Sequence, residues 1–586
     1  MKFTADMKWY YTPVLPVILI LLMFFQPAVA ATLEVKVDGV SGAQLKNVLA
    51  HLAINTEKGR QDLLSSRIHR LHERAPEQIK TALQPFGYYR VEISSKLQQT
   101  DDKWEAYYKV DRGDPLRIKA LDFQISGAGK DDVSFQALQK SFLIDVGQIL
   151  VHSRYERAKQ GLQRLAATRG YLDARFSQHE AKVDLQAYTA AVILHFDTGV
   201  RFSFGPVSFE QKPDTFDETL LNRYITIKLG EPYSTSALQT IRAGLADSNY
   251  FSEVEIIPLR NQAKNNQIPV QIILTPGKRS KTRFGVGFGT DTGPRVTAEH
   301  TRRVNRRGHK ININTRLSPR ISSAGLQYIV PLENPVSEQL AFVSNLSDEN
   351  TESRKSTITN IGLRHTSLRG SWQETKSLTY ESEKFIVGEE NQTSALLLPG
   401  ISWNRTKADD RLFPQHGHRL RLDLLGSANA IGSDVDFVQS RLSWKAIYSA
   451  GQKNRFLIRG DAGASWVGDL QELPASKRFF AGGDQSVRGY DLEELGPVDD
   501  AGDVIGGRHL LVGSAEYERQ LFNKWSAAVF YDAGNALNSF SEKLNHGAGF
   551  GVRWRSPIGP VRLDFAWGLS DPGQPIRLHF TVGPDL

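Results

Sequence analysis

The 586 residues, 40% of them hydrophobic and 23% charged, are too many for one ordinary domain and too apolar for a disordered chain. One spanning helix needs about 20 consecutive apolar residues, and such a run occurs at most once, so repeated membrane crossing requires a β-barrel. The lack of cysteine excludes disulfides, thiolate metal sites and thiol catalysis, while a formal net charge of +8 fits contact with anionic lipid or acidic chains without choosing between them.

The first segment reads as an address. Lys2 and Lys8 supply the charged start, Val14 to Phe25 the apolar stretch, and Ala28-Val29-Ala30 a small-residue cleavage site. A signal peptide over 1–30, export, and a mature start at Ala31 are expected. Outside the cytoplasm, nucleic acid is not an expected partner.

The next part of the chain repeats itself. Gly87-Tyr88 recurs as Gly170-Tyr171 and again at Tyr250, each time leading into a β-rich run (YYRVEISS, YLDARFSQ, YFSEVEII). Gly113, Gly199 and Gly277 close the three units, and periodic helices such as RYERAKQGLQRLAA precede the aromatic strands. Each unit reads as strand, helix, helix, strand, strand. Units over 31–114, 115–201 and 202–277 follow, joined by short connections.

From 278 to 586 the texture changes to segments of about ten residues in which apolar and polar residues alternate. Sixteen such segments run from RFGVGFGTD to IRLHFTVGP, an even number that suits an antiparallel transmembrane barrel. The alternation puts Phe550, Val552, Trp554, Phe565, Trp567, Ile576, Leu578 and Phe580 toward lipid and Arg553, Arg562, Asp564, Arg577 and His579 toward the lumen. The expected fold is α+β repeats followed by a 16-stranded antiparallel barrel. If Leu586 is the natural terminus, Phe580 is expected to stand in for the terminal aromatic residue that outer-membrane barrels usually carry.

Between the eleventh and twelfth segments a connection of about 468–508 is far longer than a hairpin turn, which marks it as functional. It contains FFAGGDQSVRGY, where Gly482, Gly483 and Gly489 permit tight backbone and Val487-Arg488-Gly489-Tyr490 sets a guanidinium between apolar and aromatic neighbours. VFYDAGN follows with Asp532 and Gly534, then the run from Gly549 to Ala566, which carries Gly551, Arg553, Gly559 and Arg562.

These motifs carry a family resemblance across nearly the whole mature chain. The repeated units resemble the polypeptide-transport-associated (POTRA) domain, which in its family lies in the periplasm and docks extended polypeptides by strand addition. VRGY in a long late loop, with the two strand motifs after it, is similar to the outer-membrane protein assembly superfamily. The resemblance implies a lid loop folded into the barrel, with Arg488 meeting lumenal carboxylates, Glu516 and Asp564 foremost. By alternation Asp564 faces the lumen, whereas the facing of Glu516 stays open. Three units look most like the outer-membrane subunit of the translocation and assembly module. That likeness implies assisted insertion or secretion of outer-membrane proteins and autotransporters, with a large inner-membrane-anchored partner spanning the periplasm, unfolded clients, and outer-membrane lipids as contacts. The alternative is a two-partner-type channel passing an unfolded protein through the lumen.

A closed barrel has no edge to lend, so helping another barrel fold requires a seam that opens. Gly285, Gly287 and Gly289 alternate on one face of the first strand and weaken it, which marks a lateral gate against Leu578, His579 and Phe580. No HExxH, GxSxG or P-loop pattern is present, so no enzyme, cofactor or metal is expected. His69 and His72 read as a solvated helix face, and Asp499, Asp500 and Asp503 as scattered loop acids.

Overall fold

A computed structural model describes residues 32–583 apart from 59, 61–63, 102, 411 and 558; the expected signal peptide and Leu586 lie outside the described residues. Among them the chain forms three three-stranded sheets and one closed sixteen-stranded barrel. Contacts group these into two compact units. One carries the first two modules and parts of the third, and the other carries the rest of the third and the barrel.

The modules share one plan. In the first, the strand Lys103–Asp111 lies between Thr32–Asp38, to which it is parallel, and Glu92–Thr100, to which it is antiparallel. Its residues alternate between buried and exposed, as a half-covered strand requires, and Trp104, Ala106, Tyr108 and Val110 pack beneath Ile68, Ile79 and Leu83 of the helix Ser65–Leu83. His72 of that helix is partly buried, with Nδ1 2.8 Å from the Tyr108 hydroxyl, and His69 meets the Trp104 ring edge-on at 5.3 Å. His72 therefore packs toward the sheet rather than on a solvated face, while His69 stays exposed as read from the sequence. The helix turn that faces the sheet carries His72 along with the apolar residues, and a charged neighbourhood in sequence does not reveal this.

The repeated aromatic mark is a joint. Gly87 has φ +89°, and its carbonyl accepts from the amide of Leu116 at the start of the second module at 2.8 Å. Gly170 has φ +85° and accepts in the same way from Phe202 at 2.8 Å. Where the third joint needs the left-handed conformation the residue is Asn249, φ +59°, the side chain that best tolerates it after glycine. Tyr250 then donates its buried hydroxyl to the Gly308 carbonyl in the first periplasmic turn of the barrel at 2.5 Å. Lys310 lies 4.1 Å over the same ring, and Arg306 pairs with Asp214 at 2.8 Å and Asp217 at 3.0 Å.

The barrel strands follow one another around the wall, from Ser280–Gly289 to Ile576–Val582, each antiparallel to the next. The sixteen alternating segments of the sequence correspond to them one to one. Lengths differ around the wall. The hairpin Arg354–Arg369 and Trp372–Val387 is paired without a break from Arg354↔Val387 to Arg369↔Trp372, whereas the last strand has seven residues. Phe550, Phe565, Ile576 and Leu578 are exposed on the outer face, and Arg553, Asp564 and His579 are buried inside.

Candidate functional site: the lid loop and the seam

Residues 468–508 leave the strand Asn454–Val467 and re-enter the wall at His509, and between them the loop folds into the barrel. It is held at its root, at its core and at its tip. At the root, Lys477 pairs with Glu381 at 2.6 Å, the Ser476 hydroxyl donates to Glu383 at 2.6 Å, and Arg478 pairs with Glu390 at 2.5 Å. Further along, Phe479, Val487, Tyr490 and Leu495 form an apolar cluster with Leu510, Val512 and Ala536 of the wall. The glycines of the motif are structural necessities. Gly489 has φ +97°, and a Cβ there would stand 2.7 Å from the Gly568 nitrogen; at Gly482, φ +103°, it would strike the Asp491 carbonyl.

Arg488, 5% exposed, reaches across the lumen. Asp532 takes it in a two-pronged grip, Nε to Oδ2 at 2.7 Å and Nη2 to Oδ1 at 3.0 Å, and also accepts from its backbone amide at 3.1 Å. Nη1 donates to Glu516 at 2.7 Å and Asp564 at 3.2 Å, and the guanidinium lies 3.4 Å over the Phe530 ring. Arg553 completes the network by bonding the same Glu516 at 2.7 Å and Asp564 at 2.5 Å. Glu516 therefore faces the lumen. Burial opposes the Arg488 charge, but Asp532, Glu516 and Asp564 outweigh it and raise its pKa further.

Asp532, recognised from sequence only as part of a strand motif, is the principal partner of Arg488. The family resemblance directed attention to Glu516 and Asp564, which are shared with Arg553. Arg459, which no motif marked, donates to the Ser486 carbonyl of the loop at 2.7 Å. Arg562 lines the same small cavity with Lys445 and Arg459.

The motif Gly549-x-Gly551 has a steric purpose, and Gly547 shares it. A Cβ at Gly547 would strike the Arg488 carbonyl, one at Gly549 would meet the Phe530 ring at 2.5 Å, and one at Gly551 would strike the Asp564 carboxylate. The three residues alternate along one strand, so their bare lumenal face is a trough in which the network lies. Gly534 likewise faces the Leu511 carbonyl, where a Cβ would come within 2.7 Å. Gly559 stands at the periplasmic turn with φ +126°, away from the lid.

The first and last strands meet at a seam with, among the described residues, a single Cα pair, Gly289↔Thr581. Beside it the Thr290 amide donates to the Phe580 carbonyl at 3.2 Å, and the Phe288 and Phe580 rings approach to 5.8 Å. Gly285 and Gly287 do face the lumen, but their missing side chains leave no void. Thr297 Oγ1 stands 2.6 Å and Arg295 Nη2 3.0 Å from where their Cβ atoms would be. Phe284 and Val286, on the opposite face, are exposed.

At the extracellular end of this seam the lid tip makes its last set of contacts. Asp484 accepts from Thr290 Oγ1 at 2.9 Å and from His579 Nδ1 at 2.6 Å, and its amide donates to Asp291 at 2.6 Å. His579 Nε2 accepts from the Gly489 amide at 3.0 Å, so the ring proton sits on Nδ1. Burial and the neighbouring Asp484 carboxylate push the Asp291 carboxyl up to about 6. Asp291, Asp484 and His579 bring three potential ligand atoms within 4.8 Å of one another, and these groups are already engaged in the hydrogen bonds just described.

Comparison with known proteins agrees with this architecture. Residues 304–585 match the Omp85 superfamily domain and residues 34–112 match the POTRA domain of the type described as TamA domain 1. The chain thus joins a POTRA domain to an Omp85 superfamily domain, an outer-membrane barrel with its modules in the periplasm. It is similar to the outer membrane protein assembly factor BamA of Neisseria meningitidis serogroup B, at 21% identity over 578 residues, covering 86% of this chain and 72% of that protein. It also resembles the chloroplastic outer envelope protein 80 of Arabidopsis thaliana, at 34% identity over 117 residues, 18% of this chain and 14% of that one. The crystal structure of BamA from Haemophilus ducreyi lacking POTRA domains 1–3 superposes with a TM-score of 0.66 at 19% identity, covering 80% of this chain and 99% of that structure.

Proposed function

We propose that this protein is an outer-membrane assembly and translocation factor that lends its seam to folding β-barrel clients, autotransporters among them. The observation that carries the reading is the contrast between a seam joined, among the described residues, by Gly289↔Thr581 and the continuous ladders of the strand pairs on either side of it. Each backbone hydrogen bond contributes on the order of 1 kcal/mol, so the seam is the least costly place to open the wall. The periplasmic modules dock unfolded clients by strand addition, since each three-stranded sheet ends on an outer strand, Glu92–Thr100 in the first module, that is paired on one side. The likeness of the first module to TamA domain 1 supports a place in the translocation and assembly module, beside a large inner-membrane-anchored subunit that spans the periplasm. No bond-making chemistry, cofactor or metal enters this reading.

The test uses the absence of native cysteine. Antiparallel partners have Cα atoms about 4.5–5.5 Å apart, within disulfide range, so Gly289→Cys with Thr581→Cys places a lock on a paired position of the seam. The barrel is placed in liposomes and offered an unfolded client barrel. Oxidation is expected to stop assembly and reductant to restore it. A locked barrel that assembles the client as well as the free one would reject the gate and favour a channel through the lumen, the route that Arg488 and its carboxylates now fill.

A further inference from the structure

The two edges of the seam share few direct bonds, yet both are bonded to the same residue of the lid. Asp484 holds the end of the first strand through Thr290 Oγ1 at 2.9 Å and through its own amide to Asp291 at 2.6 Å. The same carboxylate holds the last strand through His579 at 2.6 Å, and His579 in turn accepts from Gly489 of the lid at 3.0 Å. Arg577, also on the last strand, pairs with Asp491 and with Glu494 of the lid at 3.2 Å. Asp484 and His579 are buried, so these bonds form where water does not compete well.

We infer that Asp484 is a positioning residue that bolts the seam shut, so that seating of the lid and closure of the seam are one event. Without Asp484, Thr290 and His579 have no common partner, and what remains across the seam among the described residues is the Gly289↔Thr581 pair and the two bonds between Thr290 and Phe580, amide to carbonyl at 3.2 Å and Phe580 amide to Thr290 Oγ1 at 3.2 Å. Conversely, separating the two strands pulls Thr290 away from His579, and one carboxylate cannot follow both. The coupling is reciprocal by thermodynamic necessity: whatever loosens the lid at this point loosens the seam by the same factor, and a closed seam favours a seated lid. The inference rests on the reading of this seam as the part of the wall that opens, and adds to it the residue that controls opening.

Hydrogen exchange on the full-length protein in lipid nanodiscs tests it without any client. Asp484→Ala is expected to speed exchange about tenfold or more at the lid tip and at both seam edges, around Thr290 and Phe580. The strand pair Ile321–Pro331 and Glu338–Asn350, elsewhere in the wall, is expected to stay unchanged. Asp484→Asn keeps an acceptor oxygen and should give a smaller rise, and it carries the test if the alanine variant fails to fold. In the other direction, the Gly289→Cys, Thr581→Cys disulfide should slow exchange of the lid tip, reversibly with reductant. A lid that loosens while the seam stays protected, or a seam crosslink that leaves the lid unaffected, overturns the bolt. Loss of client assembly under intact coupling, or its persistence in the locked form, bears on the proposed function instead.

Discussion

The Arg488 guanidinium stands over the ring of Phe530, its central carbon 3.4 Å from the ring centre. That position leaves its donors free for the carboxylates around it, and it is available only because Gly549 stands opposite Phe530 without a side chain. Substituting Gly549 by alanine puts a methyl group against both the ring and the Phe565 carbonyl, and overpacking of this kind costs about 1–3 kcal/mol. The variant is expected to lose lid order and barrel thermal stability together, measured by near-ultraviolet circular dichroism and by heat-dependent gel mobility.

Removing Arg488 itself leaves buried Asp532 without its bidentate partner and with the more distant Arg459 at 3.5 Å, while Glu516 and Asp564 keep Arg553. Breaking a buried pair in this way costs about 3–5 kcal/mol. Arg488→Ala should therefore unseat the loop, exposing 482–490 to protease. Adding Asp532→Ala removes the stranded charge, so the double variant should lose less than the sum of the two single losses, the signature of direct coupling.

The joint between the third module and the barrel is open to the same kind of test. Tyr250→Phe keeps the ring beneath Lys310 but takes the donor from the buried Gly308 carbonyl. An unsatisfied buried acceptor costs about 1–3 kcal/mol. Faster amide exchange is expected in the turn 304–309, with the barrel wall unchanged.

Acid should weaken the first module. Burial beside Tyr108 holds the His72 pKa below its usual value, so near pH 6 the unfolded chain takes up a proton that the folded module refuses. Stability contributed by neutral His72 is thus present above the unfolded pKa of about 6.5 and is lost as pH falls through it. Exchange across Ser65–Leu83 should quicken between pH 7.5 and 5.5, and His72→Gln should flatten that dependence.

Period-two alternation made the barrel legible strand by strand, because one face of every strand meets lipid and the other meets water and charge. The glycines around Arg488 were legible as a motif, but their purpose was not. Gly549 and Gly551 look like flexibility in a string of letters and prove to be the floor beneath a ring and an ion pair. Asp484 left no signal at all, since its partners lie 194 residues before it at Thr290 and 95 after it at His579. No local pattern encodes a contact that depends on how far a loop dips into a barrel. Glu516 and Asp564 do bond Arg488 as expected, but the leading place of Asp532 was not legible for the same reason: the three carboxylates stand on different strands, and only geometry ranks them.

The root of the loop has one more consequence. Lys477, Ser476 and Arg478 are fastened to Glu381, Glu383 and Glu390 on the far side of the barrel, ahead of the turn at Gly482. A tip that leaves its seat stays tethered there, at an effective concentration on the order of millimolar. Return is then a unimolecular step whose rate does not depend on protein concentration, and each departure is brief unless something else occupies the vacated space.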